Sequence, residues 1–157
     1  MQLVEKLALI DLDDTLFDST GQLYGLLSDN IEQITPFPGM NEALTVPGLT
    51  YVLVTRGEPE RQMRKVQTLG IQPRFDSIII VPTDTEKRAV FRTLVGKAGH
   101  TWAVGNRLDC EIQYGNECGF TTVYMKHGRY ASHVSESHQI PHHTIYHLTE
   151  LPAILMA

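Results

Sequence analysis

Three carboxylates close the first apolar run of the chain. In LALIDLDDTLFDST, residues 7–20, Leu7–Ile10 leads directly into Asp11, Asp13, Asp14 and Thr15. Carboxylates this close repel one another. A solvated turn tolerates them, and so does a site that holds a divalent cation. Asp11 and Asp13 are two apart, which on an extended chain puts both side chains on one side. One can then face a substrate while the other acts as its acid–base partner. A carboxylate is a weak nucleophile in water, yet it forms covalent phosphoryl intermediates. That chemistry needs a cation against the combined charge of phosphate and carboxylate. It also needs donors for the phosphoryl oxygens and oxygen ligands to complete an octahedral Mg2+ shell. Thr55 and Lys87 are suitable donors, and Asn106, Asp109 and Glu111 are suitable ligands.

Positioning such a set falls to the elements between these residues. Short apolar runs recur at 7–10, 51–54, 77–81, 101–104, 121–125 and 143–148. Their length and β-branched content predict strands buried on both faces. Helical spacing appears between them. Leu23, Leu26, Leu27, Ile31 and Ile34 predict a helix over 21–34, and Met63, Val66 and Leu69 another over 59–69. The second has Pro59 for its first turn and Gly70 for its C-cap. Val90, Phe91 and Leu94 mark a helix over 85–96, and 107–118 reads as a further one ending at Gly119. Alternating strands and helices predict an α/β fold with a mainly parallel sheet covered by helices. Ligands then gather at the carboxyl ends of the strands. Asp11, Asp13, Thr55, Arg56, Lys87 and Asn106 all stand just past such ends. The stretch 126–142, rich in His, Ser and Gly, reads as a long loop.

The bulk numbers exclude several classes. A chain of 157 residues with 42% hydrophobic residues suits one domain with a real core. The net charge of -5 and the lack of a basic block argue against nucleic acid as a partner. Apolar runs of four or five residues are far short of a membrane span. No charged segment precedes a long apolar core, so no secretory signal is expected. Cys110 and Cys118 sit eight apart with no second pair, which predicts neither a zinc site nor a disulfide framework. A reducing cytoplasm is the expected compartment. Six of the seven histidines lie in 127–147, without helical ligand spacing, so zinc is not expected there.

The ordered motifs resemble those of the haloacid dehalogenase-like hydrolases. LIDLDDTLFD is similar to the first motif, an apolar strand followed by DxDxT. YVLVTRG resembles the second, Lys87 in TEKRAVFRTL the third, and WAVGNRLDCE the fourth. The resemblance runs from about residue 5 to 130. It implies a doubly wound three-layer sandwich and Mg2+-dependent phosphatase chemistry. By that resemblance Asp11 is the nucleophile that becomes aspartyl-phosphate, and Asp13 is the general acid and then the base. Thr55, Arg56 and Lys87 bind the phosphoryl group, and Lys87 also restrains Asp11. Mg2+ is held by the Asp11 side chain, the Asp13 carbonyl and the first polar residue of the fourth motif, Asn106. Members that attack carbon–halogen bonds lack the second aspartate, so Asp13 favours phosphate chemistry. Where the fourth motif usually has Asp, this chain has Asn106, whose amide brings no charge. Asp109 or Glu111 can compensate.

Between Asp11 and Thr55 the segment 38–50 resembles the helix that leads into the second strand. Only 18–37 is left for a lid, and the interval from Thr55 to Lys87 has no room for one. The expected form is a single domain over 1–157 with 18–37 as a minimal cap remnant. An open site favours a bulky or macromolecular phosphorylated substrate, or a homo-oligomer whose second subunit roofs it. Two other classes fit parts of the pattern. One is a binding protein on the same fold that lost activity through Asn106. The other is a receiver-like phosphoacceptor domain, although its acceptor Asp would follow a later strand, and none directly follows 51–54 or 77–81.

Overall fold

A computed structural model describes residues 3–24 and 30–157. All six expected strands form: β1 Val4–Ile10, β2 Thr50–Arg56, β3 Ser77–Val81, β4 Ala98–Gly105, β5 Thr121–Met125 and β6 His143–Ile145. They pair parallel throughout in the order β3-β2-β1-β4-β5-β6. Among the described residues five α-helices accompany them: α1 Met40–Ala43, α2 Pro59–Leu69, α3 Asp84–Thr93, α4 Gln113–Glu117 and α5 Leu151–Met156. Alternate residues of the central strands feed two separate cores. Ala8, Ile10 and Leu53 pack with Met40, Val66, Leu151 and Leu155 of α1, α2 and α5. Leu7, Leu9, Val52 and Val54 pack with Phe91 of α3 and Tyr114 of α4 on the other face. Both faces of the sheet are thus covered, which is why its strands read as continuous apolar runs.

The chain builds outward from β1 to β3, then returns to place β4 on the other side of β1. This reversal opens a crevice at the carboxyl ends of β1 and β4, where doubly wound folds bind ligands. Asp11 N–H donates to the Val104 carbonyl at 3.0 Å and ties the two strand exits together. Helix α2 is fixed at both ends. The Glu58 carboxylate accepts from the backbone N–H of Glu60 and Arg61 at 3.0 and 2.8 Å. Gly70 ends the helix at φ 68°, which costs glycine little. Thr83 Oγ1 caps α3, accepting from Glu86 N–H at 3.2 Å.

Three helical expectations are corrected. Leu26 and Leu27 of the segment 21–34 lie outside the described residues. The described remainder holds a single π turn, Thr20–Tyr24, and a 3-10 turn, Ile31–Gln33. Side chains fold this segment back on itself: Gln22 exchanges two hydrogen bonds with the Thr35 backbone, at 3.1 and 2.8 Å. The helix over 38–50 shrinks to the four residues of α1. The helix over 107–118 begins as a π turn, Leu108–Ile112, before α4. No substantial cap stands between β1 and β2 among the described residues. Nor is any helix among them long and apolar enough to cross a membrane.

Candidate active site

The exits of β1, β2 and β4 and the start of α3 surround one polar cleft. It is lined by Asp11, Asp13, Thr55, Arg56, Lys87 and Asn106, so all six residues singled out by sequence meet there. Asp11 lies at its floor, buried. Lys87, in the first turn of α3, sends its ammonium to Asp11 Oδ1 at 3.0 Å and to Glu111 Oε1 at 2.6 Å. The other Asp11 oxygen, Oδ2, accepts from Thr15 Oγ1 at 3.3 Å. Glu111 is therefore committed to Lys87, and its second oxygen accepts from Arg107 N–H at 3.2 Å. Asp109 turns outward and pairs with the Arg107 guanidinium at 3.1 Å.

Electrostatics follow from this burial. Loss of water pushes the Asp11 carboxyl up, to about 7; Lys87 opposes the shift, and Glu111 and Asp13 reinforce it. Burial alone would lower the Lys87 ammonium, but the Asp11 and Glu111 carboxylates raise it well above its ordinary value. The two directions agree. One buried ammonium cannot balance two carboxylates, so the ammonium is held charged while one acid is pressed to take a proton.

The amide of Asn106 lies over Asp11 Oδ2 at 3.0 Å and over the Asp13 carbonyl oxygen at 3.3 Å. With its nitrogen turned to them it donates to both. Turned the other way, three oxygens meet at one point, an arrangement that suits a cation between them. The donor set, all oxygen, is the kind that Mg2+ takes.

Asp14 occupies a left-handed conformation, φ 58°, that only short polar residues and glycine adopt readily. Its oxygens accept from Thr20 N–H at 2.9 Å and Thr20 Oγ1 at 2.6 Å, so it braces the turn rather than entering the cleft chemistry. Asp14, Asp18 and His127 place ligating atoms within 4.8 Å of one another. Asp18 is bonded to His127 Nε2 at 2.8 Å, and this bond holds its carboxyl below the usual range in spite of partial burial. Of the 126–142 loop, Arg129 and Tyr130 reach the mouth of the cleft.

The same architecture recurs in solved structures. A HAD-hydrolase of Bacillus subtilis, YfnB, solved bound to magnesium, superposes with a TM-score of 0.73 over 98% of this chain and 100% of its own, at 16% identity. A haloacid dehalogenase-like hydrolase of Burkholderia xenovorans gives 0.74 over 96% of each chain, at 16% identity. L-2-haloacid dehalogenase of Xanthobacter autotrophicus gives 0.69 over 98% and 99%, at 14% identity. This is the haloacid dehalogenase-like hydrolase fold. In sequence, the chain is 30% identical to the mouse N-acylneuraminate-9-phosphatase over 115 residues, 68% of this chain and 45% of that protein. It thus spans about half the length of the curated relative it matches. No protein-family profile matches the chain.

Within this haloacid dehalogenase-like fold, sequence reading missed several groups in or beside the cleft. Gln62 and Lys65 reach in from α2 to the Asp13 carboxylate. Their signal was a pair of polar residues three apart, beside the apolar stripe Met63, Val66 and Leu69. Ser19 Oγ lines the cleft, buried and without a hydrogen-bond partner. Arg107 joins the fourth motif to α3 through Asp84 at 3.1 Å, and Asp84 also holds Arg56 at 3.3 Å. Arg56 therefore stands at the cleft mouth, paired, rather than on its floor.

Proposed function

We propose that the chain is a Mg2+-dependent phosphatase that works through an aspartyl-phosphate on Asp11. The observation that carries this reading is the setting of Asp11: one oxygen on Lys87, the other beside Asn106 and the Asp13 carbonyl. A carboxylate so placed has a fixed orientation and little solvent to displace. Asp11 attacks phosphorus and the bond to the leaving oxygen breaks, with Asp13 giving that oxygen its proton. Asp13 then takes a proton from water, the water oxygen attacks phosphorus, and the bond to Asp11 breaks to release inorganic phosphate. Thr55 and Lys87 donate to the phosphoryl oxygens, and Arg56 holds an anionic group at the mouth.

Asp11 Oδ2, the Asp13 carbonyl and the Asn106 amide oxygen would hold Mg2+. Bound there, the ion neutralises phosphate and carboxylate charge together. Asp11 and Glu111 share one ammonium, that of Lys87, and an arriving phosphate adds negative charge beside them. The deciding experiment is turnover of an aryl phosphate with Mg2+ and with EDTA. Rapid metal-dependent release of phosphate is expected. Its absence would leave a binding protein on the same fold.

Because Asn106 is neutral, Asn106→Asp should lower the Mg2+ concentration for half-maximal rate on the order of tenfold, through one charge-assisted contact. Titration of rate against Mg2+ measures this. An unchanged requirement would mean that Asn106 does not touch the ion.

With no substantial cap, the proposed substrate must bring its own cover: a bulky or macromolecular phosphate, or a site roofed by a second copy of the chain. Water at an open cleft weakens each contact. Small phosphorylated metabolites are then expected to show KM values of about 1 mM or more. A panel of such esters, with the mass of the protein in solution, tests it. A monomer that selects one small ester at micromolar KM would refute the open-site reading.

A further inference from the structure

Asp11 and Asp13 each have their own buried lysine. Lys87 serves Asp11. Lys65, on α2, serves Asp13: its Nζ lies 2.8 Å from Asp13 Oδ1, and the residue is only 4% exposed. One turn earlier on the same helix face, Gln62 is 2% exposed. Its Nε2 donates to Asp13 Oδ2 at 3.0 Å and to Thr55 Oγ1 at 2.8 Å. We propose that Gln62 and Lys65 are positioning residues that set the Asp13 carboxylate and the Thr55 hydroxyl as one unit. This rests on the phosphatase reading above and extends it to residues that touch neither phosphate nor metal.

Hydrogen-bond accounting gives the clasp its meaning. A side-chain amide nitrogen carries two hydrogens. Here one goes to Asp13 and one to Thr55. Thr55 Oγ1 therefore accepts, and its own hydrogen is left to donate elsewhere. The cleft that Thr55 lines is where a phosphoryl oxygen would receive it. Asp13, with an oxygen on each of two neighbouring α2 residues, cannot rotate about its last bond without breaking one contact. Gln62 thus couples the acid–base group to the phosphate-binding hydroxyl through one nitrogen.

The fold does not require this arrangement. Where a helix packs on a sheet, apolar residues of similar volume usually stabilise at least as well as a buried ion pair. The neighbours Met63, Val66 and Leu69 fill that role on α2. Space has nevertheless been left for the amide. A Cβ on Gly57, at the exit of β2, would come within 2.8 Å of both Cγ and Cδ of Gln62. Glycine at that position lets the Gln62 stem pass between the strand exit and Asp13.

Two consequences distinguish positioning from bulk support. Proton delivery matters most when the leaving oxygen is a poor leaving group. Lys65→Met should therefore cut kcat on an alkyl phosphate on the order of 100-fold, and on 4-nitrophenyl phosphate less than about 10-fold. Lys65→Arg should recover part of the loss on the alkyl ester. Gln62→Glu should be worse than Gln62→Leu, because a carboxylate at that point draws the Thr55 hydrogen away from the substrate. Both Gln62 variants should raise KM as well as lower kcat, since Thr55 binds the phosphoryl group.

The experiment is steady-state kinetics of these variants on the two esters at saturating Mg2+, with thermal unfolding to show that each is folded. Lys65→Met has the greatest potential to unfold. In that event the Gln62→Glu and Gln62→Leu pair, which keeps Lys65, decides the matter by its order. Equal losses on both esters, or Leu as damaging as Glu, would overturn the proposal. The controls separate it from the reading beneath it. Wild-type turnover with an inert Asp11→Asn variant upholds the phosphatase reading, whatever α2 variants do. An unchanged ester ratio against that background removes the clasp alone.

Discussion

Asp11→Asn is expected to lose all measurable phosphatase turnover and to gain stability in the metal-free state above pH 7. The first half follows from chemistry: an amide is not a nucleophile towards phosphorus. The second follows from burial. The folded state holds the Asp11 carboxyl at about 7, against an ordinary value of 3.8. Between those values the folded chain binds a proton that the unfolded chain has released. The stabilisation linked to Asp11 is thus complete below about pH 4 and lost as pH rises through 7. Asparagine removes that loss, because it carries no charge to bury beside Glu111 and Asp13. At pH 8 in EDTA, Asp11→Asn should gain about 1–2 kcal/mol and raise Tm by about 2–8 °C. The difference should narrow as pH falls and close towards pH 4. A variant no more stable than the wild type at pH 8 would show that Lys87 fully compensates the Asp11 charge, and a variant that keeps its turnover would remove Asp11 as nucleophile.

Lys87→Met should be severe in both stability and rate. It removes the ammonium shared by Asp11 and Glu111 and leaves two buried carboxylates facing each other. Breaking a buried pair from one side costs about 3–5 kcal/mol. For a chain of this size that is a fall in Tm of about 6–20 °C. Loss of a donor to the developing phosphoryl charge should reduce kcat by a further 10²–10³-fold, on the order seen when one such donor is deleted. The double variant Lys87→Met with Asp11→Asn tests the origin of the damage. Its stability should recover towards that of wild type, because one of the stranded charges is gone, so the two effects should be strongly non-additive. Additive losses across the cycle would place the cost of Lys87→Met in packing instead.

Much of this was legible along the chain, and the reasons are local. Runs such as Leu7–Ile10 and Tyr51–Val54 announce strands because both faces of the sheet are covered there, leaving no polar alternation to confuse them. Pro59 and Gly70 mark the ends of α2 because each acts on its own backbone. Asp11, Thr55, Lys87 and Asn106 stood out because strand exits converge whatever lies between them. What escaped was decided by distant partners. Nothing local to the helix ties Gln62 and Lys65 to the cleft, since their contacts to Asp13 lie 49 and 52 positions away. The segment after Thr20 has the spacing of a helix, with Leu23, Ile31 and Ile34 buried, yet Asp14 and Gln22 tie its backbone into turns. By sequence Glu111 was a candidate to complete the metal shell beside Asn106, and Lys87 claims it at 2.6 Å.

The central place of β1 also shapes how the chain acquires this site. Leu7 pairs with Thr50 on one side and with Thr101 on the other. β1, the first of these six strands in chain order, thus waits for partners far along the chain. Contacts of such separation demand a large loop-closure entropy before they return any stabilisation, and folds rich in them form slowly. The three acids after Ile10 ride on this strand, so the crowded floor of the cleft cannot assemble until Val104 arrives to receive the Asp11 N–H. Mutual repulsion among those carboxylates works against that late step. Refolding should accordingly run faster in mildly acidic, metal-free buffer than at pH 8, with Asp11→Asn abolishing most of the difference.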